Sequence, residues 1–116
     1  MQIFTDRTQA ALEIGLAGEA QRQRITANNI ANVNTPGFAA QRVEFEGSLA
    51  RAIDRSGPSR VSIGATAGET WMSLNGNQVS LEAETTTLVK SNLHYEAIVG
   101  AVNARFGLLG TAIGVR

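Results

Sequence analysis

The chain has 116 residues and equal numbers of acidic and basic residues, which gives a formal net charge of +0. Its length fits one small domain, and its balanced charge excludes the basic excess with which proteins bind nucleic acid phosphates. The chain contains no cysteine, so disulfides, thiolate nucleophiles and cysteine-based metal sites are excluded.

The first predicted element is a helix from about Asp6 to Asn32. Apolar-leaning residues recur along it at steps of three and four, which places them on one helical face. This α1 stripe consists of Leu12, Leu16, Ala20, Gln23, Ala27 and Ile30. Pro36 and Gly37 end the helix, and the pair suits a type II turn in which the glycine takes a positive φ. The residues before this helix show no basic segment followed by an apolar run, so we expect no cleaved signal peptide.

Four asparagines crowd the end of this helix and the turn that follows: Asn28, Asn29, Asn32 and Asn34. An amide side chain both donates and accepts, so it can satisfy the carbonyl groups left unpaired at a helix end. An ordinary helix end requires fewer such residues. We expect water to satisfy this helix end in the single chain, and the additional amides can bridge to neighbouring backbones.

The middle of the chain, residues 37–78, is predicted to be irregular. Val43 and Phe45 alternate with Glu44 and Glu46, a pattern that favours a short half-buried strand, and residues 48–53 favour a short helix. Glycine, proline and asparagine recur beyond that point and indicate turns. A connection of this length is uncommon in a compact domain, and we expect it to be flexible.

The strongest pattern is a heptad repeat from Ser80 to Gly114, where mostly apolar residues recur at alternating steps of four and three. This predicted seam consists of Leu81, Thr85, Leu88, Asn92, Tyr95, Val99, Val102, Phe106, Leu109 and Ile113. A helix of this length extends ~50 Å at ~1.5 Å per residue, so the seam must lie against another long helix of the same chain or of a neighbour. Ser80 is predicted to cap its start and Gly114 to follow its end.

The predicted fold class is therefore mainly α. The long N- and C-terminal helices form an elongated coiled coil, joined by an irregular loop with little β structure. We divide the chain into an N-terminal helix with the asparagine segment (1–36), a flexible connecting region (37–78) and a C-terminal heptad helix (79–116), which together make one coiled-coil rod domain.

No catalytic or metal-binding pattern is present in the sequence. His94 is the only histidine and is interpreted as an ordinary packed or solvated helix residue, because a zinc site needs several ligands. Glu44 and Glu46 are interpreted as a solvated face and not as a glycosidase carboxylate pair. The glycines form no phosphate-binding motif. We expect no enzyme activity, cofactor, metal or small-molecule substrate.

Residues 27–38, ANNIANVNTPGF, resemble the N-terminal signature of the flagellar rod, hook and hook-associated axial proteins. The positions that carry this assembly signature are Asn28, Asn29, Ile30, Asn32, Asn34, Thr35, Pro36, Gly37 and Phe38. Further stretches resemble the proximal rod subunits of that family: residues 41–46, 75–82, 93–99 and 106–113. The chain departs from the family pattern at Gly110, where arginine is usual, and residues 53–74 show no match.

The resemblance implies a structural subunit of the flagellar proximal rod, which assembles helically and transmits torque from the membrane ring to the distal rod. It implies contacts with other copies, with other rod proteins, with the inner-membrane ring and rod-base adaptor, and with the flagellar type III export gate. The chain would leave the cytoplasm through that gate and reside in the periplasmic rod of the basal body. Phe45 and Leu49 match the loose F-x-x-x-φ pattern of gate recognition, with a plain core role as the alternative interpretation.

Two alternatives to this function remain open from the sequence. One is the second proximal rod protein, which shares the asparagine signature. The other is a cytosolic coiled-coil protein that binds a helix of another protein.

Overall fold

A computed structural model describes residues 7–55, 65–67 and 79–114 of the chain. The elements in chain order are α1 (Arg7–Ala31), β1 (Gln41–Val43), α2 (Glu46–Arg55), β2 (Ala65–Ala67) and α3 (Leu81–Ala112). The molecule measures 61 × 32 × 14 Å along its principal axes. The predicted class, a mainly α elongated protein with two long helices and little β structure, is confirmed.

The ends of the long helices follow the local chemistry of the sequence. The Ser80 hydroxyl accepts a hydrogen bond from the Ala83 N–H at 3.3 Å, which confirms the predicted N-cap of α3. Gly114 follows the helix with φ +79°, and Gly37 has φ +76° in the turn after α1. Both glycines occupy the left-handed region that residues with a side chain rarely adopt. Asp6, the predicted first residue of α1, lies outside the described residues.

The two long helices run antiparallel along each other. An added Cβ on Gly15 would lie 3.1 Å from the Ile98 side chain, whereas Asn29, fourteen positions later in α1, contacts Glu84. Residue numbers that rise along α1 therefore meet numbers that fall along α3. The pairing of α1 with α3 is the main tertiary contact of the described chain.

A small satellite packs on one side of this helix pair. Strands β1 and β2 form a two-stranded antiparallel sheet in which Val43 lies opposite Ala65. The strand lies at Gln41–Val43 and shares only Val43 with the predicted pattern of Val43 to Glu46. The short helix predicted over 48–53 is confirmed as part of the longer α2, which begins at Glu46. Most of the turn-rich connection, residues 56–64 and 68–78, lies outside the described residues.

The hydrophobic core of the described residues is small. Its buried hydrophobic side chains are Val43, Phe45 and Val79, at 2%, 3% and 6% exposure. The other hydrophobic side chains whose burial is described are half-buried or exposed.

Candidate assembly site

The contact between α1 and α3 is centred on a buried carboxylate. Glu19 is 3% exposed, and its Oε2 accepts a hydrogen bond from the Ser91 hydroxyl at 2.7 Å. Its Oε1 accepts from Arg22 Nη1 at 2.9 Å and faces His94 Nδ1 at 3.2 Å. A buried charge is tolerated only when it is paired and hydrogen-bonded in this way, so these four side chains form one unit across the two helices.

Arg22 connects this unit to the satellite. Its Nε and Nη2 donate to the Val43 carbonyl at 3.3 and 2.8 Å, and its guanidinium also pairs with Glu46. The guanidinium carbon lies 5.1 Å from the centre of the Phe45 ring, within the range of a cation–π contact. One side chain of α1 therefore holds the end of β1 and the start of α2.

The pKa of Glu46, the first residue of α2, is shifted from its ordinary value. Burial raises the pKa of Glu46, but hydrogen bonds from its own backbone N–H and from that of Phe45, together with the Arg22 guanidinium, outweigh burial. The pKa of Glu46 consequently lies below its ordinary value of 4.5. The ionised form is thus favoured by the folded arrangement.

Phe45 is held against the backbone of α1. A Cβ placed on Gly18 would lie 2.4 Å from Cζ and Cε1 of the Phe45 ring. Only glycine therefore permits this close approach at position 18. The Phe45 carbonyl also accepts the Leu49 N–H at 2.8 Å, which starts the hydrogen bonding of α2.

Within the signature segment, Asn29 is an internal connector. It is fully buried, at 0% exposure. Its amide exchanges two hydrogen bonds with the Gln41 backbone, from Nδ2 to the carbonyl at 2.7 Å and from the Gln41 N–H to Oδ1 at 3.0 Å. Nδ2 also donates to Glu84 Oε2 at 3.0 Å. The expectation that water satisfies this amide in the single chain is wrong, because the amide already joins α1, β1 and α3.

The rest of the signature forms a largely exposed, polar turn. Asn32 Nδ2 donates to the Asn28 carbonyl at 2.8 Å, and the Thr35 hydroxyl donates to Asn32 Oδ1 at 3.1 Å. Exposed signature residues are Asn28, Asn34, Thr35, Pro36 and Gly37, while Ile30, Asn32 and Phe38 are half-buried. These side chains hold the shape of the helix exit and leave most of its polar groups outside.

The predicted seam occupies two environments in the single chain. Leu88, Tyr95, Val99, Val102 and Leu109 are half-buried. Leu81, Phe106 and Ile113 remain 50%, 56% and 75% exposed. The half-buried positions other than Val99 fall on the side of α3 that carries Ser91 and Ile98.

The polar residues that face α1 were missed by the sequence analysis. Glu84, Ser91 and Ile98 follow one another at intervals of seven residues, one position before the predicted Thr85, Asn92 and Val99. On α1, the buried Glu19 and Thr26 are likewise seven residues apart. Because Glu84 and Ser91 are polar, a search for apolar side chains passes over this face, although Ile98 lies in the same row.

Across residues 7–55, 65–67 and 79–114, no three acidic or histidine side chains come together in a way that could hold a metal ion. In the same described ranges, no helix combines the length and apolar character that a membrane crossing requires.

The amino-acid sequence of this chain is similar to those of known proteins. The family "Flagella basal body rod protein" matches residues 11–38, which cover most of α1 and the signature turn. The flagellar basal body rod protein FlgB of Bacillus subtilis is 32% identical over 127 aligned positions, which cover 97% of each chain. FlgB of Escherichia coli is 27% identical over 124 positions, covering 86% of this chain and 90% of that protein.

One relative carries a different name. The rod protein FlgG of Caulobacter vibrioides is 42% identical over 50 residues, but these cover only 19% of its length. The relatives that match along most of both chains are named FlgB, which favours this subunit over the second proximal rod protein, FlgC. Because a relative of this identity aligns along nearly its whole length, the chain belongs to the FlgB family of flagellar basal body rod proteins.

Proposed function

We propose that the chain is a structural subunit of the proximal rod, which assembles helically and transmits torque from the inner-membrane ring to the distal rod. The observation that carries this proposal is the 32% identity to FlgB of Bacillus subtilis over 97% of both chains. Other copies of the chain, other rod proteins, the membrane ring and its rod-base adaptor are the partners that this role requires.

The exposed apolar surface of α3 supports a chain that is completed by its neighbours. Several large hydrophobic side chains of this helix and its C-cap are at least half exposed: Leu81, Val89, Leu93, Phe106, Leu108 and, at the C-cap, Ile113. Burying apolar surface contributes about 25 cal/mol per Å², so packing against neighbouring subunits would stabilise the folded chain substantially. In this proposal, the exposed members of the predicted seam, Leu81, Phe106 and Ile113, contact neighbouring subunits.

The signature has two functions in this proposal. Asn29 fixes the end of α1 to β1 and α3 through the hydrogen bonds described above. The exposed Asn28, Asn34 and Thr35 contact neighbouring subunits, where unpaired amides would each cost about 1–3 kcal/mol once water is displaced. The division of the chain at residues 36 and 78 is part of this proposal, with the connecting region between two helices that assemble together.

The chain is proposed to leave the cytoplasm through the flagellar type III export gate without a cleaved signal peptide. Phe45 of the candidate gate motif is 3% exposed in the folded chain, and Leu49 is half-buried. The export gate would therefore recognise this motif before the chain folds and Phe45 packs against Gly18. Phe45→Ala should reduce export, whereas Val43→Ala, an equally buried control outside the motif, should weaken folding and leave export intact. Equal export of the two variants would remove the motif from the proposal.

The rod function is tested by replacing the native gene with a tagged version and purifying basal bodies. We expect the chain in these preparations and loss of motility when the gene is deleted. A soluble cytosolic pool with none of the chain in basal bodies would instead support a cytosolic coiled-coil interaction protein.

A further inference from the structure

A small cavity lies at the junction of α1, β1 and α3. Its volume is about 30 Å³, which accommodates a water molecule and little else. All three elements contribute to its lining, through Thr26 of α1, Gln41 of β1, and Glu84 and Thr87 of α3. The cavity therefore lies between the same elements that Asn29 joins through its hydrogen bonds to Gln41 and Glu84.

The side chain of Thr26 has a polar group that requires a partner in this cavity. Thr26 is 3% exposed. Four threonines of α3 each donate to the carbonyl four residues earlier, at 2.7 to 3.0 Å: Thr85, Thr86, Thr87 and Thr111. The Thr26 hydroxyl has no corresponding bond within the described parts of the chain. Because a buried hydroxyl without a partner is costly, the group that pairs with Thr26 must come from the cavity.

Two further polar groups of the lining can accept hydrogen bonds. Oε2 of Glu84 accepts from Asn29 Nδ2 at 3.0 Å, and a carboxylate can accept several bonds at once. The Thr87 hydroxyl donates to the Ala83 carbonyl at 2.9 Å, so its oxygen still has lone pairs with which to accept. With Thr26 as a donor, the lining offers three partners, the usual number for a buried water molecule.

The charges around the cavity favour a neutral polar occupant. Its lining contains the side chains of Arg22 and Arg42 as well as that of Glu84. A cation would lie close to two guanidinium groups, and an anion would lie close to the Glu84 carboxylate. An apolar group would leave the Thr26 hydroxyl unpaired. A neutral molecule that both donates and accepts avoids all three costs.

We propose that this cavity binds one ordered water molecule, which accepts a hydrogen bond from Thr26 and donates to Glu84 and Thr87. The water joins α1 to α3 next to the direct bond between Asn29 and Glu84. All of these contacts lie within one chain, so the site does not depend on the rod function.

A wider groove beside the cavity provides a route for this water. The groove has a volume of about 410 Å³ and shares Arg22, Arg42, Val43 and Thr87 with the lining of the cavity. Water can therefore enter and leave from the side of β1, and the two long helices stay together during this exchange.

A crystal structure at a resolution that shows ordered water tests the site directly. We expect density for one water molecule within about 3.2 Å of Thr26 Oγ1 and of a Glu84 carboxylate oxygen. Absence of this density, in a map that shows ordered water elsewhere on the chain, would overturn the proposal.

Thr26→Val tests the same bond in solution, because valine has the shape of threonine and lacks the hydroxyl. If the hydroxyl had no partner, this change would stabilise the chain. We expect the opposite, a decrease of about fivefold or more in the equilibrium constant for folding, measured by urea unfolding. Thr8→Val is the matched control at an exposed position of the same helix, and it should change this constant by no more than about twofold. Equal or greater stability of Thr26→Val would overturn the proposal.

A double-mutant cycle with Glu84→Ala tests the bridge between the two helices. Glu84→Ala also removes the bond from Asn29, but that loss is the same with threonine or valine at position 26. We expect Thr26→Val to lower the equilibrium constant for folding at least about twofold less in the Glu84→Ala background than in the unaltered chain. The same effect in both backgrounds would overturn the bridge.

Discussion

Gly18 is the position where α1 leaves no room for a side chain, and replacing it by alanine should destabilise the chain. The new Cβ would lie 2.4 Å from the Phe45 ring, so the ring must move away from α1 and from its contact with Arg22. Overpacking of this kind costs about 1–3 kcal/mol, and the better helix propensity of alanine offsets at most ~1 kcal/mol of that. We expect a net loss of about 1–2 kcal/mol, which lowers Tm by roughly 4 °C per kcal/mol for a chain of this size.

Gly100→Ala is the matched control, since it makes the same chemical change in a helix where nothing lies within 4 Å. It should stabilise α3 by up to ~1 kcal/mol and raise Tm. Thermal unfolding of the purified variants is followed by far-ultraviolet circular dichroism at two protein concentrations, which separates folding from self-association. If Gly18→Ala were as stable as Gly100→Ala, the close approach of Phe45 to α1 would be refuted.

Three further substitutions test the other contacts. Because the pKa of Glu46 is lowered in the folded chain, the ionised Glu46 carboxylate stabilises the fold above pH ~4.5, and this stabilisation is lost as pH falls through the folded pKa. The Tm of Glu46→Gln should therefore differ from that of wild type most at neutral pH. A difference in Tm that stays constant down to acid pH would contradict this. Asn29→Ala should lower the free energy of unfolding in urea by about 1–3 kcal/mol, because it leaves buried hydrogen-bond partners unpaired. Asn32→Ala should leave this free energy nearly unchanged. Similar losses for both variants would contradict the internal position of Asn29. Val99→Asp should abolish motility, because Val99 is half-buried in the single chain and a carboxylate that neighbouring subunits enclose there costs several kcal/mol. Glu96→Asp, at an exposed position, should be mild in the same swimming assay. Equal effects would mean that Val99 does not lie in a subunit contact.

The features that sequence predicted well depend on local chemistry. Ser80 caps α3 because its hydroxyl reaches the N–H of Ala83 three residues away. Gly37 and Gly114 adopt positive φ where each helix ends. Such effects involve neighbours along the chain, so the residue types and their order contain the information needed to predict them.

The orientation of α3 depends on partners far away in sequence. Heptad counting placed Asn92 in the seam, but Ser91 is the residue that turns inward, because the Glu19 carboxylate accepts its hydroxyl across 72 positions. The sequence predicts water as the partner of Asn29, whereas the structure has Gln41 and Glu84. A polar residue gives no periodic signal that distinguishes a buried hydrogen bond from a solvated surface.

The polar contact between the long helices also fixes how far one can slide along the other. The bonds of Glu19 and Asn29 lie ten residues apart on α1, or about 15 Å, and each has a specific partner on α3. A displacement by one helical turn, ~5.4 Å, breaks both at once, whereas leucines in an apolar seam would find equivalent partners in the next turn. The helix pair therefore resists shear along its length and keeps its register when load is applied parallel to its axis.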